Sequence, residues 1–274
     1  MGLFLFKKGE KQVEGIERSK KTIGSTIRKL IPILIFVGLW ELLPRIGVLK
    51  AFLIPPFSEA IKALVQMIVT GEIVKHITWS MYRAFLGFGL AFLIAIPLGI
   101  AIGWNKKARE YLSSFLTLLG NVSPIALFPF FIIVFGIGEV SKVGIVFWGC
   151  LWPMLMNTIS GVSHADALLI KAARTMGASR TKVLFEVVIP NALPEIYPGI
   201  KLSVSNSILM LCAGEMLGAT AGLGYLISYS QQIFEMSKMY AAIILIALIG
   251  LLFTVILNAI EKKLFVWKLN EAGK

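Results

Sequence analysis

Charged residues and cysteines are scarce in this sequence. Only 15% of its 274 residues are Asp, Glu, Lys or Arg, against roughly 25% in an ordinary soluble domain. A soluble enzyme of this length could not hide 57% hydrophobic residues in one core. A disordered chain is excluded as well, because disorder requires low hydrophobicity. With a mean hydropathy of +0.82, the composition predicts a polytopic membrane protein.

The residues that usually build metal and disulfide sites are also few. Cys150 and Cys212 both lie inside long apolar runs, and two such cysteines are too few for a disulfide framework or a metal cluster. Nothing in the sequence places carboxylates around His76 or His164 in a way that would form a metal site. We therefore expect no metal, no catalytic residue and no cofactor bound by this chain.

Six apolar runs predict an all-α fold with about six transmembrane helices. They cover residues 30–46, 77–103, 112–136, 143–159, 197–220 and 239–260. Such runs are too long and too uniformly apolar for the strands of a membrane barrel. The expected organisation is a basic cytoplasmic segment with an interfacial anchor (1–29), a first helix with an external loop (30–76), a membrane domain (77–262) and a cytoplasmic tail (263–274).

The net charge of +12 allows two interpretations. A nucleic-acid binder would need a basic patch on a soluble face, whereas a membrane protein concentrates Lys and Arg in its cytoplasmic loops. With six spans, both termini and the long loop at 163–195 lie on one side, and most of the basic residues fall there. The charge therefore predicts cytoplasmic termini and no nucleic-acid partner.

The long loop at 163–195 is predicted to contain two short helices. Residues 165–176 are rich in helix formers, and Gly177 suits the left-handed residue that ends a helix. Ser179 can cap a second helix that runs from Arg180 to about Ile189, where Pro190 and Pro194 prevent simple continuation. This hairpin either docks into a groove on a cytoplasmic partner or lies on the lipid as an amphipathic element.

Glu215 stands in the fifth apolar run, where a carboxylate costs at least about 2.5 kcal/mol to insert. Two interpretations are open. Glu215 either has a role in the translocation path or in holding its span, or it is a helix-end carboxylate near the outer interface. Its position in the sequence favours the second interpretation. Arg83 is expected at the outer end of the second span, with its guanidinium reaching to water.

Other polar residues in the apolar runs also allow two interpretations. The serines and the asparagine that open the fifth run either line a polar path or form hydrogen bonds between helices. Ser123 and Pro124 interrupt the third run and mark either a gate or a packing kink. The candidate translocation path thus consists of Ser123, Pro124, Ser203, Asn206, Ser207 and Glu215.

One segment of the long loop resembles the EAA loop of ABC importer permeases. The family pattern is Glu-Ala-Ala, three residues, Gly, nine residues, and Ile-x-Leu-Pro. The sequence here has Lys171-Ala172-Ala173, then Gly177, then Val187-Val188-Ile189-Pro190, with the same spacing. Lys171 departs from the pattern by reversing a charge. Segments 174–179, 189–194, 214–219 and 222–225 are similar to the branch that imports nitrate, aliphatic sulfonates and taurine.

The resemblance implies a type I ABC importer permease fold in a prokaryotic inner membrane. Such a permease forms a dimer, docks two cytoplasmic ATPase subunits and receives its substrate from an external binding protein. The chain has no Gly-x4-Gly-Lys-Ser/Thr loop, so we expect a separate subunit to hydrolyse ATP and this chain not to be an enzyme. The implied ATPase-coupling residues are Leu168, Lys171, Ala172, Ala173, Met176, Gly177 and Pro190.

The implied function is the import of a small anionic solute. A permease for a thiamine precursor or another small solute is an alternative within the family. An ion-coupled secondary transporter is an alternative of another class, although it would usually carry internal repeats and several intramembrane charges. An intramembrane enzyme is disfavoured because no histidine falls within a predicted span.

Overall fold

The computed structural model describes residues 31–265, which form helices joined by turns, with no strand among them. The segment expected at 1–29 and most of the tail at 263–274 lie outside these residues. The helices are α1 (31–45), α2 (Phe57–Val69), α3 (Glu72–Trp104), α4 (Lys106–Gly120), α5 (Phe128–Phe135), α6 (Glu139–Ser163), α7 (Ala167–Thr175), α8 (Arg180–Val183), a π-helical turn (Leu184–Val188), α9 (Ile189–Gly218), α10 (Leu223–Gln232) and α11 (Met236–Leu264).

The described residues fall into two compact units, 31–63 and 64–265. In the first unit, hydrogen bonds connect α1 to the beginning of α2. The Trp40 indole N–H donates to the Pro55 carbonyl at 3.1 Å, and the Ser58 amide and hydroxyl both donate to the Glu41 carboxylate at 2.9 Å. The sequence did not predict α2, which buries Ala60, Leu64 and Met67 at helical spacing.

Four helices in the described residues are long and apolar enough to span a membrane: α3, α6, the continuous helix Arg180–Gly218, and α11. The third predicted span, at 112–136, is instead divided between α4 and α5. Pro124 lies in the break, because proline has no amide hydrogen and disfavours helical geometry in the residue before it. The predicted all-α membrane fold is confirmed with four of the six predicted spans, because the third is broken and α1 (31–45), at the position of the first, is not among the helices long enough to span a membrane.

The predicted helix end at Pro190 and Pro194 is wrong. The chain is helical from Arg180 to Gly218 and passes through the π-helical turn just before Pro190. In that turn the Ile189 amide bonds the Leu184 carbonyl, five residues earlier. The register of the backbone hydrogen bonds therefore changes immediately before Pro190. The N–H that this proline lacks falls at the junction between the π-helical and the α-helical register.

The centre of the second unit is the packing of α3 and α9 against α6. A row of small residues at every fourth position of α3 faces α6, and all of its members are buried: Gly87, Ala91, Ala95, Gly99 and Gly103. A Cβ atom built on Gly99 would lie 2.6 Å from the Thr158 Cβ. This row therefore lets the two helices approach closely, as small residues do in membrane helix packing.

Candidate functional site

The segment predicted to couple the chain to an ATPase forms a capped helical hairpin, which we call the coupling hairpin (residues 166–188). The Asp166 side chain accepts the Leu168 amide at 2.7 Å and caps α7. Ser179 caps α8 by accepting the Lys182 amide at 3.3 Å, as predicted. Both helices are therefore stabilised by local hydrogen bonds that their own sequence supplies.

Gly177 forms the turn between the two helices. Its φ is +83°, the left-handed conformation predicted for this position. Its amide donates to the Arg174 carbonyl at 2.9 Å, and the Ala178 amide donates to the Ala173 carbonyl at 3.1 Å. These two bonds are the pair that defines a Schellman ending, so the angle between α7 and α8 is fixed by the backbone.

The coupling hairpin has a buried inner side and an exposed outer side. Its inner side contributes Ala173, Val183 and Val188 to a core cluster that includes residues of α6 and α9. On the outer side, Leu168 is 75% exposed and Met176 is 81% exposed. Of the seven predicted coupling residues, the structure exposes six and buries Ala173: Leu168, Lys171, Ala172, Met176, Gly177 and Pro190 are exposed.

Two of the predicted path residues, Ser203 and Asn206, form hydrogen bonds between α9 and α6. The Ser203 hydroxyl donates to the Cys150 carbonyl at 2.7 Å, and the Asn206 amide donates to the Gly149 carbonyl at 3.2 Å. Ser207 is buried and donates within its own helix, to the Val204 carbonyl at 2.7 Å. Ser203 and Asn206 thus form the interhelical hydrogen bonds that were one of their two expected roles.

A cavity of about 310 Å³ lies between the α4–α5 connection, α6 and α9. It is lined by Pro124 and Asn206, two predicted path residues that are far apart in the sequence. Ser123, Ser203, Ser207 and Glu215 are not among its lining residues. The structure therefore brings only part of the predicted set together around one space.

Glu215 is buried in an ionic cluster at the opposite end of α9 from the coupling hairpin, and Glu139 is the one partly exposed member of this cluster. Arg83 donates to Glu215 at 2.7 Å through Nη1 and holds Glu139 through two nitrogens, at 2.5 and 2.9 Å. Lys142 also donates to Glu139, at 3.1 Å. We call Arg83, Glu139, Lys142 and Glu215 the ionic cluster; its two positive and two negative charges balance. A buried charge is tolerated only when paired in this way.

The ionic cluster corrects the prediction for Arg83. Arg83 does not reach to water, because its side chain is only 1% exposed and its guanidinium donates to Glu139, Glu215 and the Ala221 carbonyl. Glu215 does lie in the last turn of α9, but it is also only 1% exposed. The Glu215 carboxylate is therefore enclosed by groups of its own chain and does not lie at the surface of the chain.

The same cluster fixes the connection between α9 and α10. The Gly224 amide donates to Glu215 at 2.9 Å, and the Ser80 hydroxyl donates to it at 2.8 Å. Gly222, with φ +132°, lies directly over this carboxylate, where a Cβ would overlap with it. His76, predicted in a loop, lies inside α3 and accepts the Gly222 amide at 3.1 Å.

Glu139, Lys142 and Ser80 were not predicted as partners of Arg83 and Glu215. Glu139 is 56 residues from Arg83, and Glu215 is 132 residues from it, so no local pattern connects them. The sequence feature that could have revealed these partners is the balance of charge. An arginine and carboxylates near the ends of apolar runs predict pairing, because each charge alone is costly in the membrane.

The distance between the ionic cluster and the coupling hairpin is set by helix length. Glu139 begins α6, and Ser163 ends it beside the hairpin. At 1.5 Å per residue, its 25 residues span roughly 37 Å, about the thickness of a membrane. The two features therefore lie at opposite ends of the spanning helices.

An all-helical membrane domain with an exposed, capped hairpin at one end agrees with the permease fold that the EAA-type loop implies. The family model for the "binding-protein-dependent transport system inner membrane component" matches residues 95–266. This chain belongs to that family and is the permease of an ABC importer. The secondary transporter and the intramembrane enzyme considered from the sequence are not favoured by this finding.

Two curated relatives match most of the chain. A Bacillus subtilis (strain 168) protein named as an aliphatic sulfonates transport permease, SsuC, is 33% identical over 244 residues, which cover 89% of this chain and 88% of the relative. The taurine transport system permease protein TauC of Escherichia coli (strain K12) is 30% identical over 238 residues, which cover 85% and 86%.

A solved structure shares the fold. The match is to the MetNI methionine ABC transporter in an inward-facing conformation, with a TM-score of 0.62 and 18% identity. It covers 70% of this chain and 95% of the matched chain. At this identity the similarity establishes the fold alone.

Proposed function

We propose that this permease imports a small anionic solute of the nitrate, aliphatic sulfonate or taurine class. An external binding protein delivers the solute, and two cytoplasmic ATPase subunits drive a dimer of this chain. The relatives named for aliphatic sulfonates and taurine support this substrate class. The chain binds no cofactor of its own, is not an enzyme, and has both termini in the cytoplasm.

The observation that carries the coupling role is the two-sided coupling hairpin. Its inner side is buried with residues of α6 and α9, so a force applied to it reaches the spanning helices without passing through a flexible connection. Its outer side presents Leu168 and Met176, two large apolar side chains that the described chain leaves uncovered. Exposed apolar side chains beside charged ones suit a docking surface for another protein.

The basic residues of the hairpin support the same orientation. Lys171, Arg174, Arg180 and Lys182 all lie within it, and short cytoplasmic loops carry an excess of such residues. The ionic cluster then lies at the external end of α3, α6 and α9, where the binding protein delivers its solute. The hairpin receives the ATPase movement at the opposite end.

Replacement of Gly177 tests the coupling role. A Gly177→Val variant forces a branched residue into φ +83°, which costs roughly 1–2 kcal/mol. No atom lies within 4 Å of a Cβ at this position, so the strain changes the turn without a collision. We expect uptake of labelled taurine or ethanesulfonate into cells to be lost, while the amount of protein in the membrane is retained.

A matched control lies at the beginning of α3, which is the end of that helix remote from the coupling hairpin. Gly71 has φ +73° and also has no atom within 4 Å of a Cβ, so Gly71→Val introduces the same kind of strain away from the hairpin. We expect Gly71→Val to retain most of the uptake. If both variants import equally well, or both lose uptake to the same extent, the coupling role of the hairpin is refuted.

A further inference from the structure

Two positive charges on the outer side of the coupling hairpin lack a counter-charge. Lys171 and Arg174 are both exposed on α7, and neither forms an ion pair with another residue of the described range 31–265. We call these two residues the cation pair. They are three residues apart, which makes them neighbours on the helix surface. Like charges in this arrangement repel each other, so an anion beside the cation pair would be stabilising.

The remaining charged residues of the hairpin have partners of their own. The Lys182 ammonium lies 3.8 Å from the Glu186 carboxylate. The Arg180 guanidinium lies 5.9 Å from the centre of the Trp104 ring, within the range of a cation–π contact. The Asp166 carboxylate caps α7. Neither carboxylate of the hairpin therefore neutralises the cation pair, and the outer side carries a net positive charge.

Exposed apolar side chains flank the cation pair. Leu168 lies three residues before Lys171 and is 75% exposed, and Met176 lies two residues after Arg174 and is 81% exposed. The opposite side of the hairpin packs with residues of α6 and α9, which enter the membrane, so the outer side faces away from them. Methionine and arginine are both enriched in protein–protein interfaces. This placement favours a protein over a lipid surface as the occupant.

The charge of Lys171 determines what such a protein must present to it. The EAA pattern has glutamate at this position, and this chain has lysine. A groove that attracts a glutamate through positive charge would repel a lysine, because like charges brought together across an interface oppose binding. The cation pair suits a groove with negative charge, in which a carboxylate replaces water around the lysine ammonium.

We propose that the ATPase subunit of this importer receives the coupling hairpin in a groove with at least one aspartate or glutamate, and that this carboxylate pairs with Lys171 beside Arg174. Leu168 and Met176 contact apolar parts of the same groove. The opposite charges select the ATPase that belongs to this permease and reject one whose groove is basic. The proposal rests on the proposed function, and it adds the chemistry of the partner at the coupling site.

Carbodiimide cross-linking tests for this carboxylate directly. The reagent joins a lysine amine to a carboxylate without a spacer, so only groups already in contact react. The full-length permease is assembled with its ATPase subunits in nanodiscs of phosphatidylcholine and phosphatidylserine, and mass spectrometry identifies the linked peptides. Lys75 is the matched control, because it is also an exposed lysine but lies near the beginning of α3, at the end remote from the hairpin.

We expect Lys171 to be joined to an aspartate or glutamate of the ATPase subunit and Lys75 not to be. Lys171→Arg keeps the positive charge, but its guanidinium does not react, so this variant should bind the ATPase with unchanged affinity and give no cross-link. Lys171→Glu should weaken ATPase binding at least about tenfold, and Lys75→Glu should not change it. Changing the linked carboxylate residue of the ATPase to lysine should restore binding to Lys171→Glu.

The proposal is overturned if Lys171 is joined to no carboxylate of the ATPase, or if Lys171→Glu binds the ATPase as tightly as the unchanged protein. Coupling of Lys171 to the phosphatidylserine carboxylate alone would assign the cation pair to the membrane surface and also overturn it. A photoreactive group attached at Leu168→Cys reports contact with the ATPase whatever the charge of the groove. If that group reaches the ATPase and Lys171 does not, the acidic groove is refuted and the coupling role stands. If neither reaches it, both are refuted.

Discussion

Replacing Glu215 by glutamine tests whether the ionic cluster stabilises the fold. The Glu215 carboxylate accepts hydrogen bonds from Arg83, Ser80 and Gly224. Glutamine has nearly the same shape, but it has one acceptor oxygen in place of two and adds an NH₂ group among these donors. Removing the charge also leaves Glu139 as the only anion for the two cations of the cluster. Breaking a buried pair in this way costs about 3–5 kcal/mol.

The loss should be visible as a lower midpoint of thermal unfolding. For a domain of this size each kcal/mol shifts the midpoint by about 2–4 °C, so Glu215→Gln should lower it by roughly 6–20 °C in purified protein. Glu110→Gln is the matched control. Glu110 is exposed and lies 3.8 Å from Lys106, and such surface pairs contribute at most about 1 kcal/mol.

The alternative role of Glu215 predicts a different pair of results. If its carboxylate served mainly to contact solute on the path, Glu215→Gln would reduce uptake and leave the unfolding midpoint at that of Glu110→Gln. That outcome would refute the structural role assigned to the cluster. A large drop in the midpoint of Glu215→Gln alone would support it.

Two further substitutions test the packing of α3 and the cap of α7. Gly99→Ala should destabilise the protein by about 1–3 kcal/mol, because its Cβ would meet Thr158. Gly89→Ala is the control: no atom lies within 4 Å of a Cβ at this position, so this variant should be neutral or stabilising in the same unfolding assay. Equal effects of the two variants would contradict the close α3–α6 contact. Asp166→Ala removes the acceptor for the Leu168 amide and should cost about 1 kcal/mol. Hydrogen exchange should then accelerate in α7 alone, and unchanged exchange would argue against the cap.

Local chemistry in the sequence was sufficient to predict the coupling hairpin. Gly177 was assigned a left-handed conformation and Ser179 a capping role, and both are observed. These features depend on residues within one or two turns of each other, so the sequence contains all that is needed. Asp166 as the cap of α7 follows the same rule.

The prediction failed where hydrogen bonding or pairing depends on a wider context. Pro190 was expected to stop a helix, because a proline removes one backbone donor. The π-helical turn before it changes the register of the bonds, and propensity alone does not indicate such a turn. Arg83 was placed in water because its partners Glu139 and Glu215 are distant in the sequence and meet it only after α3, α6 and α9 have packed together.

The path residues were predicted by their polarity, which identifies candidates but not the space they share. Asn206 and Pro124 do meet at one cavity, while Ser203 is used between α6 and α9.

The proposed coupling role requires the coupling hairpin to contact the ATPase subunit. The most direct test introduces Leu168→Cys, attaches a photoreactive benzophenone maleimide and illuminates the permease–ATPase complex. Val74→Cys, exposed at the opposite end of α3, is the control position. We expect a cross-link to the ATPase subunit from Leu168→Cys and none from Val74→Cys. The coupling role is contradicted if Leu168→Cys gives no cross-link to the ATPase, or if an impermeant thiol reagent labels the introduced cysteine from outside intact cells.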